Sequence, residues 1–464
     1  MGLRISMRFP VTPRPLLWAA IFLGFLALKA NLSAQSFTTL HSFGAVPGGG
    51  SQPNAGLILS GNTLYGTTFE GGSSGFGTVF AVNTDGSGYT NLYSFTDGSD
   101  GANPYAGLVL SGNTLYGTAL YGGSSNVGTV FAVNIDGSGF TNLYSFTGCT
   151  NGAYPSAGLV LSGNTLYGVT GAGIFAVNTD GSGFTNLYSF SNGSTNGSDV
   201  QCDGLVLSGA TLYGMAGIDG TNALGMVFAP STNVPGIVFA VNTNGSGFTN
   251  FFTFNDGSDG ADPYAKLILS GGTLYGTISR GGVSNNGAVF AVNTDGSGFT
   301  NLYNFKNGSD GSAPRPGLVL SGNTLYGTAA FGNGGVGTVF AINTNGTGFT
   351  NLYSFTGGSD GLLPAGGLVA SGSFLDGTAM IGGSSGGGTV FSILLITPPQ
   401  LAMTLSGATV ILAWPTNAAG FTLESTTNLL SAWSTNLAAP VLINGRNAVT
   451  NAMSGTQQFY RLTQ

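Results

Sequence analysis

The sequence predicts an all-β protein in which seven four-stranded antiparallel sheets close into a circle, followed by a small β-sandwich-like domain. Three observations support this prediction. A unit of about 50 residues recurs seven times. Each unit holds four short apolar runs separated by turn residues, and the run that is missing from the last unit is found before the first.

The repeat is clearest in the second copy, from Gly107 to Phe146, which contains the runs GLVLS, TLYGTA, GTVFAVN and FTNLYSF. These runs are rich in β-branched and aromatic residues and have the length of strands. The Asp-Gly pair between the third and fourth runs is typical of a hairpin turn. The third run is apolar at consecutive positions, which indicates a strand covered on both faces. The seven copies begin at Gly56, Gly107, Gly158, Gly204, Lys266, Gly317 and Gly367.

The two ends of the repeat region complement each other. The seventh copy ends after its third run, at Ile393, whereas FTTLHSF (Phe37 to Phe43) precedes the first copy and matches the fourth run of the others. We therefore expect the N-terminal strand to complete the last sheet. Closure would remove the exposed strand edges that promote aggregation. The resulting prediction is a seven-bladed β-propeller over residues 36–396.

The segments outside the repeats suggest export. Residues 1–34 resemble a signal peptide, because three arginines precede the apolar run from Leu16 to Leu28 and Ala34 suits the residue before cleavage. The apolar run is shorter than the ~20 residues that span a bilayer, so the mature chain is expected to lack a transmembrane segment. An uncleaved anchor is the alternative. The expected location is extracellular, at the cell surface or in the periplasm.

The C-terminal part differs from the repeats. Residues 397–400, TPPQ, have the composition of a linker. Residues 401–464 are expected to form a small Ig- or fibronectin-like β-sandwich, with Trp414 and Trp433 in its core. This domain is either an attachment module or a spacer.

The phrase TLYGTTFEGGSSGFGTVFAVN, from Thr63 to Asn83, resembles the GloVer tandem repeat of exported bacterial proteins. Members of that family carry different C-terminal attachment segments. The resemblance implies a propeller on an exported protein. It implies no catalytic residues, because the family has no established activity. Separately, the C-terminal residues resemble the fibronectin-like modules appended to many exported bacterial proteins.

Composition excludes some partners and leaves others open. Only 6% of the 464 residues are charged and the net charge is −7, so no basic patch for nucleic acid is expected. An exported chain could pair its two cysteines, Cys149 and Cys202, in a disulfide. Two unpaired cysteines are the alternative.

The sequence contains no recognisable catalytic set, and we expect a protein that is not an enzyme and needs no cofactor. His41 is the one histidine and stands where other copies have tyrosine, which favours a packing role over a catalytic triad. The two glutamates, Glu70 and Glu424, lie in different predicted domains. Four aspartates are expected to be hairpin-turn residues, since Asn244 and Asn345 replace them in other copies: Asp85, Asp136, Asp180 and Asp295.

Loops between copies offer two weaker sites. Carboxylates in GSDG-containing loops could ligate calcium, although a turn built from Asp and Gly is the favoured interpretation. The aspartates concerned are Asp97, Asp100, Asp256, Asp259 and Asp262. Tyrosines in or beside these loops could bind a ligand by stacking, or could simply cover the junctions between blades. These tyrosines are Tyr105, Tyr121, Tyr154 and Tyr264.

The sequence thus favours an exported propeller that binds an extracellular glycan or protein through the rim that carries its longer loops. Two alternatives remain at this point. One is an enzyme acting on extracellular polysaccharide, because propellers host such activities. The other is a purely structural component of the envelope.

Overall fold

A computed structural model describes residues 5–8, 36–44, 48–148, 152–190, 204–217, 236–255, 257–263, 265–332, 334–395, 401–406, 409–415, 422–427, 433–435, 438–443, 445–452 and 457–463. Within these ranges the regular structure is all β, in agreement with the predicted class. None of these residues belongs to a helix long and apolar enough to cross a membrane. The chain divides into two compact units, one spanning Ser36–Leu394 and the other combining the residues on either side of it.

The strands in chain order are β1 (Ile5–Arg8), β2 (Ser36–Gly44), β3 (Gly50–Ser51), β4 (Ile58–Ser60), β5 (Thr63–Thr68), β6 (Glu70–Gly71), β7 (Thr78–Asn83), β8 (Thr90–Ser94), β9 (Val109–Ser111), β10 (Thr114–Ala119), β11 (Thr129–Asn134), β12 (Thr141–Ser145), β13 (Val160–Ser162), β14 (Thr165–Thr170), β15 (Gly173–Asn178), β16 (Thr185–Ser189), β17 (Val206–Ser208), β18 (Thr211–Gly217), β19 (Gly236–Asn242), β20 (Thr249–Thr253), β21 (Ile268–Ser270), β22 (Thr273–Ile278), β23 (Ala288–Asn293), β24 (Thr300–Asn304), β25 (Val319–Ser321), β26 (Thr324–Ala329), β27 (Thr338–Asn343), β28 (Thr350–Ser354), β29 (Val369–Ser371), β30 (Phe374–Ala379), β31 (Gly386–Leu394), β32 (Ala402–Ser406), β33 (Thr409–Pro415), β34 (Thr422–Thr426), β35 (Val441–Ile443), β36 (Arg446–Ala452) and β37 (Gln457–Thr463).

Each repeat copy forms one four-stranded antiparallel sheet, as its four apolar runs predict. In chain order the sheets are sheet 1 (β4-β5-β7-β8), sheet 2 (β9 to β12), sheet 3 (β13 to β16), sheet 4 (β17 to β20), sheet 5 (β21 to β24), sheet 6 (β25 to β28) and sheet 7 (β29-β30-β31-β2). The strand taken from the N-terminus, β2, pairs antiparallel with β31, with Phe37 opposite Ile393 and His41 opposite Val390. The pairing predicted for the N-terminal strand is therefore confirmed.

The glycine of the LYG motif is required for packing inside each sheet. In sheet 2, Gly117 on β10 lies opposite Phe131 on β11. A Cβ atom on Gly117 would lie 2.6 Å from Cζ of Phe131 and 2.8 Å from the Leu108 side chain. The absent side chain lets the phenyl ring lie across the neighbouring strand, where Phe131 is fully buried.

Neighbouring sheets are joined by a recurring cluster of four rings. Between sheets 1 and 2, Tyr93 stacks on Phe140 at 3.7 Å, and Phe95 meets Phe131 edge to face at 5.1 Å. The equivalent rings at the following junctions are Tyr144, Phe146, Phe175 and Phe184; Tyr188, Phe190, Phe239 and Phe248; Phe252, Phe254, Phe290 and Phe299; Tyr303, Phe305, Phe340 and Phe349; and Tyr353, Phe355, Phe391 and Phe37.

The same cluster joins sheet 7 to sheet 1. His41 stacks on Tyr89 at 3.7 Å, and Phe43 meets Phe80 edge to face at 5.1 Å. The last sheet of the repeat region therefore packs against the first. The prediction that His41 is a packing residue agrees with this contact, because its imidazole takes the position that tyrosine or phenylalanine holds at the other six junctions.

The first residues of the repeat copies also approach one another. A Cβ atom on Gly107 would lie 3.2 Å from the Gly56 carbonyl oxygen, and one on Gly56 would lie 3.1 Å from that of Gly367. Further along the chain, one on Gly204 would lie 3.1 Å from the Gly158 oxygen. Successive copies thus place their starting backbones side by side, also where Lys266 takes the place of glycine, since a Cβ atom on Gly317 would lie 3.1 Å from the Lys266 carbonyl oxygen.

The C-terminal residues form one further sheet, β32-β33-β36-β35, and contribute β37 and β34 to another, β1-β37-β34, in which the N-terminal strand β1 pairs with β37. Their core includes Leu412, Val449 and Trp414, the last of which is buried as predicted. Trp433 differs from the prediction, because it is only half-buried and its ring is covered by the Arg461 guanidinium at 4.3 Å. Arg461 is held in place by Glu424, with 2.6 Å between the charged groups.

Candidate functional site

The two ends of the seven sheets differ in how much the repeat copies vary. Because the strands are antiparallel, the end of the second strand, the start of the third and the loop to the next sheet all lie at one end. We call this end the variable rim. Three positions in each copy distinguish it: the second residue after the second strand, and the residues before and after the proline of the loop between sheets.

The second residue after the second strand carries a different side chain in each of the five described copies whose loop at this point is not shortened. Its occupants are Glu70, Tyr121, Arg280, Phe331 and Ile381. The backbone there is nevertheless constant, since Tyr121, Arg280, Phe331 and Ile381 each bridge to the same point of an inter-sheet loop. All five side chains are at least partly exposed. A fixed backbone therefore presents an acid, a phenol, a guanidinium, a phenyl ring and an alkyl group in turn.

The residue before the proline has a left-handed backbone in every described copy. Its φ lies between 51° and 55° at Gln52, Asn103, Tyr154, Asp262, Ala313 and Leu363. Most of these residue types disfavour that region. Hydrogen bonds hold it: the Asn103 amide donates to the Phe76 carbonyl of sheet 1 at 2.7 Å, and the Asn103 carbonyl accepts from Leu120 of sheet 2 at 3.2 Å. Gln52, Ala313 and Leu363 make the same two bonds. This backbone contact links adjacent sheets whatever the side chain is.

The residue after the proline is also variable and half-buried. It is Asn54, Tyr105, Ser156, Arg315 or Ala365 in the described copies. Side chains of the variable positions contact each other in pairs of different chemistry. Tyr121 meets Tyr154 edge to face at 5.7 Å, whereas the Arg315 guanidinium lies over the Phe331 ring at 5.7 Å.

A tyrosine–aspartate pair fixes the loop between sheets at three junctions. The Asp100 carboxylate, 9% exposed, accepts hydrogen bonds from the Tyr93 hydroxyl at 3.0 Å, the Thr96 amide at 2.9 Å and the Thr96 hydroxyl at 2.6 Å. Burial, and then the hydrogen bond to Asp100 and its charge, raise the pKa of Tyr93. Equivalent pairs are Tyr303 with Asp310 and Tyr353 with Asp360. Where Phe252 replaces the tyrosine, the equivalent aspartate, Asp259, accepts a hydrogen bond from the Ser258 hydroxyl instead.

The aspartates proposed as calcium ligands have separate environments. Asp100 is engaged in the loop just described, and Asp262 pairs with Arg280 at 3.1 Å. Asp97 is exposed and has a left-handed backbone, and Asp259 accepts from the Ser258 hydroxyl. Asp256 lies outside the described residues. Among the residues that are described, no three His, Cys, Asp or Glu side chains form a group that could hold a metal ion.

The aspartates predicted as turn residues have that role. Asp85 accepts from the Ser87 amide at 2.9 Å and from the Ser87 hydroxyl at 2.6 Å. Asn244 makes the same two bonds to Ser246, at 3.0 and 2.7 Å. Hydrogen bonds from the Ser87 hydroxyl and then its amide lower the pKa of Asp85. These turns lie at the end opposite the variable rim, where they are nearly identical between copies.

The tyrosines proposed as ligand contacts lie on the variable rim. Tyr121 and Tyr154 are half-buried and contact each other, and Tyr105 meets Phe69 edge to face at 6.0 Å. They cover junctions between sheets and still present part of their surface to solvent. Tyr264, Cys149 and Cys202 lie outside the described residues, as do most of residues 1–34 and all of residues 397–400.

Sequence reasoning missed three residues of interest. Asp376 replaces the tyrosine of the LYG motif and is buried, with 1% exposed. Arg280 and Arg315 occupy variable rim positions at the junction of sheets 5 and 6. An alignment of the seven copies would have revealed all three. Asp376 and Arg315 are the charged residues at their positions among the described copies. Arg280 is the basic residue at its position, where Glu70 is acidic and the other described copies are neutral.

Comparison with known proteins gives one strong match. The model of the Gloeobacter/Verrucomicrobia repeat matches residues 27–228 and again residues 229–406. No curated protein matches the chain's sequence.

Solved structures give weaker likenesses. A nidogen/laminin complex matches with 12% identity over 60% of this chain and 90% of the other, at a TM-score of 0.38. The extracellular domain of a putative hybrid two-component system from B. thetaiotaomicron matches with 11% identity over 91% of this chain and 48% of the other, at a TM-score of 0.49. A puromycin-hydrolyzing peptidase of Mycobacterium tuberculosis matches with 12% identity over 78% of this chain and 59% of the other, at a TM-score of 0.48. The chain thus spans about half the length of the B. thetaiotaomicron chain, and none of these TM-scores reaches 0.5.

Proposed function

The chain belongs to the Gloeobacter/Verrucomicrobia repeat family, and from that premise we propose that it is an exported, non-enzymatic binding protein built on a closed seven-bladed β-propeller. Its partner would be a glycan or a protein at the cell surface or in the periplasm. The C-terminal residues would form a fibronectin-like module that attaches or spaces the propeller. Export is supported by the arginines and the apolar run of residues 1–34.

Closure of the propeller is supported by contacts at its two ends. β2 supplies the fourth strand of sheet 7, and the four-ring cluster that joins successive sheets also joins sheet 7 to sheet 1. The backbone of Gly56 approaches both Gly107 and Gly367, as expected if the copies begin around a common axis. A closed circle would leave no sheet edge between the first and last blades.

The observation that carries the binding proposal is the contrast between the two ends of the sheets. At one end the turns of Asp85 and its equivalents keep the same hydrogen bonds in the six copies that have this turn. At the variable rim the backbone is equally constant, but the exposed side chains differ from copy to copy. A repeat scaffold that varies its side chains on one face commonly uses that face for recognition.

A non-enzymatic role is supported by the environments of the residues that catalysis would need. The single histidine, His41, is stacked between sheets, and burial lowers its pKa. Glu70 is exposed on the rim, and Glu424 is paired with Arg461 in the other unit. The buried aspartates of the inter-sheet loops, such as Asp100, already accept several hydrogen bonds.

The proposal is tested with mature protein, from Gln35 onward, and a panel of soluble and insoluble polysaccharides. Depletion of protein from solution without release of reducing sugar is the expected result. Release of sugar would overturn the non-enzymatic assignment. If neither occurs and no extracellular protein is captured in a parallel screen, the binding function is wrong and the structural alternative takes its place.

A second measurement addresses the rim. Residues 223–235, an insertion that distinguishes the fourth copy, lie outside the described residues and come between β18 and β19 in the sequence. Deleting them should weaken capture while leaving the fold intact. Unchanged capture would place the binding surface elsewhere on the rim.

A further inference from the structure

A cavity opens on the variable rim where sheet 5 meets sheet 6. Its volume is about 210 Å³, and it is lined by loops of both sheets. Arg280 enters it from sheet 5, and Arg315 and Phe331 enter it from sheet 6. Asn285, Asn286 and Ser312 complete its polar wall.

The cavity is lined by two arginines and by no acidic side chain, in a chain that is acidic as a whole. Within residues 36–394 the sequence has four basic residues, Lys266, Arg280, Lys306 and Arg315, and all fall between positions 266 and 315. The chain as a whole has a net charge of −7. Both charged residues that line the cavity are arginines, and Asp262 balances one of them through its contact with the Arg280 Nε atom at 3.1 Å.

The two arginines are not needed to build the junction. At the position of Arg315 other copies have Asn54, Tyr105, Ser156 or Ala365, and at that of Arg280 they have Glu70, Tyr121 or Ile381. The same backbone supports each of these residues. The fold therefore accepts neutral side chains at both places, and the charge of this junction is a local addition to the repeat.

The shape of the cavity limits what it could take. Its volume is below the range of about 300–1,000 Å³ that is common for drug-sized ligands. One sugar ring or one terminal group would fill it. A guanidinium can donate two parallel hydrogen bonds to a carboxylate. The Phe331 ring, over which the Arg315 guanidinium lies, is half-buried, and its exposed part offers an apolar surface for a sugar.

We propose that this cavity binds the carboxylate-bearing ring of an acidic polysaccharide, a uronic acid unit. This inference rests on the proposed binding function and specifies its ligand class. Arg315 donates to the sugar carboxylate, the Phe331 ring packs against the sugar, and the neighbouring amide and hydroxyl groups contact its hydroxyls. Because the net charge of the chain repels a polyanion as a whole, binding depends on the arginines of this cavity, Arg315 above all, and the attraction of Arg315 for the carboxylate weakens as salt is added.

The test measures binding of mature protein to polygalacturonate and to its neutral methyl ester, at low and at moderate salt. The decisive variant is Arg315→Tyr, which installs the residue of the equivalent position Tyr105. The matched control is Lys306→Thr, which removes the same charge from an exposed position of the same loop and installs the residue found at Thr96 and Thr356. Thermal unfolding of each variant shows that the fold is retained. Arg315→Lys, which keeps the charge without the planar pair of donors, provides a second variant.

We expect wild-type protein to bind the acid polymer and not the ester. Arg315→Tyr should weaken binding at least about tenfold, Arg315→Lys by less, and Lys306→Thr by less than about twofold. Equal weakening by Arg315→Tyr and Lys306→Thr would overturn the site, because it would indicate diffuse attraction. Equal binding of the ester would overturn the carboxylate, and binding of polyglutamate in place of the polysaccharide would assign an acidic protein instead.

The outcome also separates this inference from the proposed function. Capture of a neutral polysaccharide or a protein without binding of polygalacturonate overturns the uronate site alone. An absence of any capture overturns both.

Discussion

Asp376 offers a direct test of how the repeat packs. Tyrosine takes its place in the other six copies, at Tyr65, Tyr116, Tyr167, Tyr213, Tyr275 and Tyr326. The Asp376 side chain is 1% exposed, and neither of its carboxylate oxygens has a hydrogen-bond partner of acceptable geometry among the described residues. Burial raises its pKa, and the hydroxyl of Ser392, opposite on β31, lowers it by less. We expect Asp376→Asn to increase the free energy of unfolding at neutral pH.

The size of the gain follows from the ionisation of the carboxyl group. A folded-state pKa one unit above the unfolded value costs about 1.4 kcal/mol once the pH exceeds both. Asparagine still leaves a buried polar group poorly paired, so only the cost of the charge is removed. We therefore expect a gain of about 1–3 kcal/mol. The wild-type protein lacks this cost below the unfolded pKa of 3.8 and acquires it as the pH rises towards the folded pKa, so the gain should vanish in acid.

The assay is urea unfolding, monitored by circular dichroism. Tryptophan fluorescence would not report on residues 36–394, because the tryptophans beyond residue 34, Trp414 and Trp433, belong to the other compact unit. The control is Asp295→Asn, which changes the same residue type in an exposed turn where Asn244 and Asn345 occur in other copies. It should leave the free energy of unfolding nearly unchanged, as substitutions of exposed turn residues usually do. The reasoning is refuted if Asp376→Asn leaves the free energy of unfolding unchanged at neutral pH, or if its gain persists in acid.

Four further predictions concern the loops and junctions. Asp360→Ala should cost about 1–3 kcal/mol in urea unfolding, because Asp360 accepts bonds from Tyr353 and Thr356. Burial alone would raise the pKa of Asp360, but hydrogen bonds from Thr356 and Tyr353 together lower it. The Asp360 carboxylate therefore stabilises the fold above pH 3.8, and this stabilisation is lost as the pH falls through the lowered folded-state pKa. On acidification the variant should lose less stability than the wild-type protein does. His41→Tyr should raise the thermal midpoint most below pH 6.5. Burial lowers the pKa of His41 in the folded state, so the wild-type protein loses stability as the pH falls below the unfolded-state value of 6.5. An equal rise at all pH values would contradict this. Gln52→Asn should add about 1 kcal/mol in urea unfolding, since asparagine tolerates the left-handed backbone (φ 55°) better; a loss would indicate that the Gln52 side chain has a role of its own. Calcium should leave the thermal midpoint of the mature protein unchanged, because the Asp100 carboxylate is already surrounded by donors; a rise would support the calcium hypothesis.

The sheets were predictable because the repeat supplies its own comparison. Seven copies of one pattern reveal strands, turns and the displaced fourth strand, and β2 pairs where the missing run of sheet 7 predicts. The replacement of Asp85 by Asn244 in a later copy likewise predicts a turn residue that needs no charge. The hydrogen bonds of both residues to a following serine agree with that interpretation.

The candidate site was less predictable because it depends on contacts between copies. Arg280 and Arg315 are 35 positions apart in the sequence, and only the approach of two sheets brings them into one cavity. The left-handed backbone before the proline has no sequence signal either, since alanine, leucine and tyrosine occupy it in other copies although asparagine tolerates it better. Such a conformation follows from hydrogen bonds to both neighbouring sheets, which a pattern of side chains does not reveal.

The two ends of the sheets differ because neighbouring copies constrain them differently. At the invariant end, a Cβ atom on Gly137 would lie 2.8 Å from the Leu92 carbonyl oxygen of the preceding sheet, so the turn itself is packed against its neighbour. At the variable rim, the recurring contact between sheets uses the backbone amide and carbonyl of residues such as Asn103 and Ala313, and only some side chains add to it, as that of Asn103 does by donating to the Phe69 carbonyl at 2.8 Å. Substitution there changes the exposed surface without changing the junction. The seven-sheet scaffold can therefore alter the chemistry of its exposed rim one junction at a time, and the arginines between sheets 5 and 6 are the clearest instance of such a change.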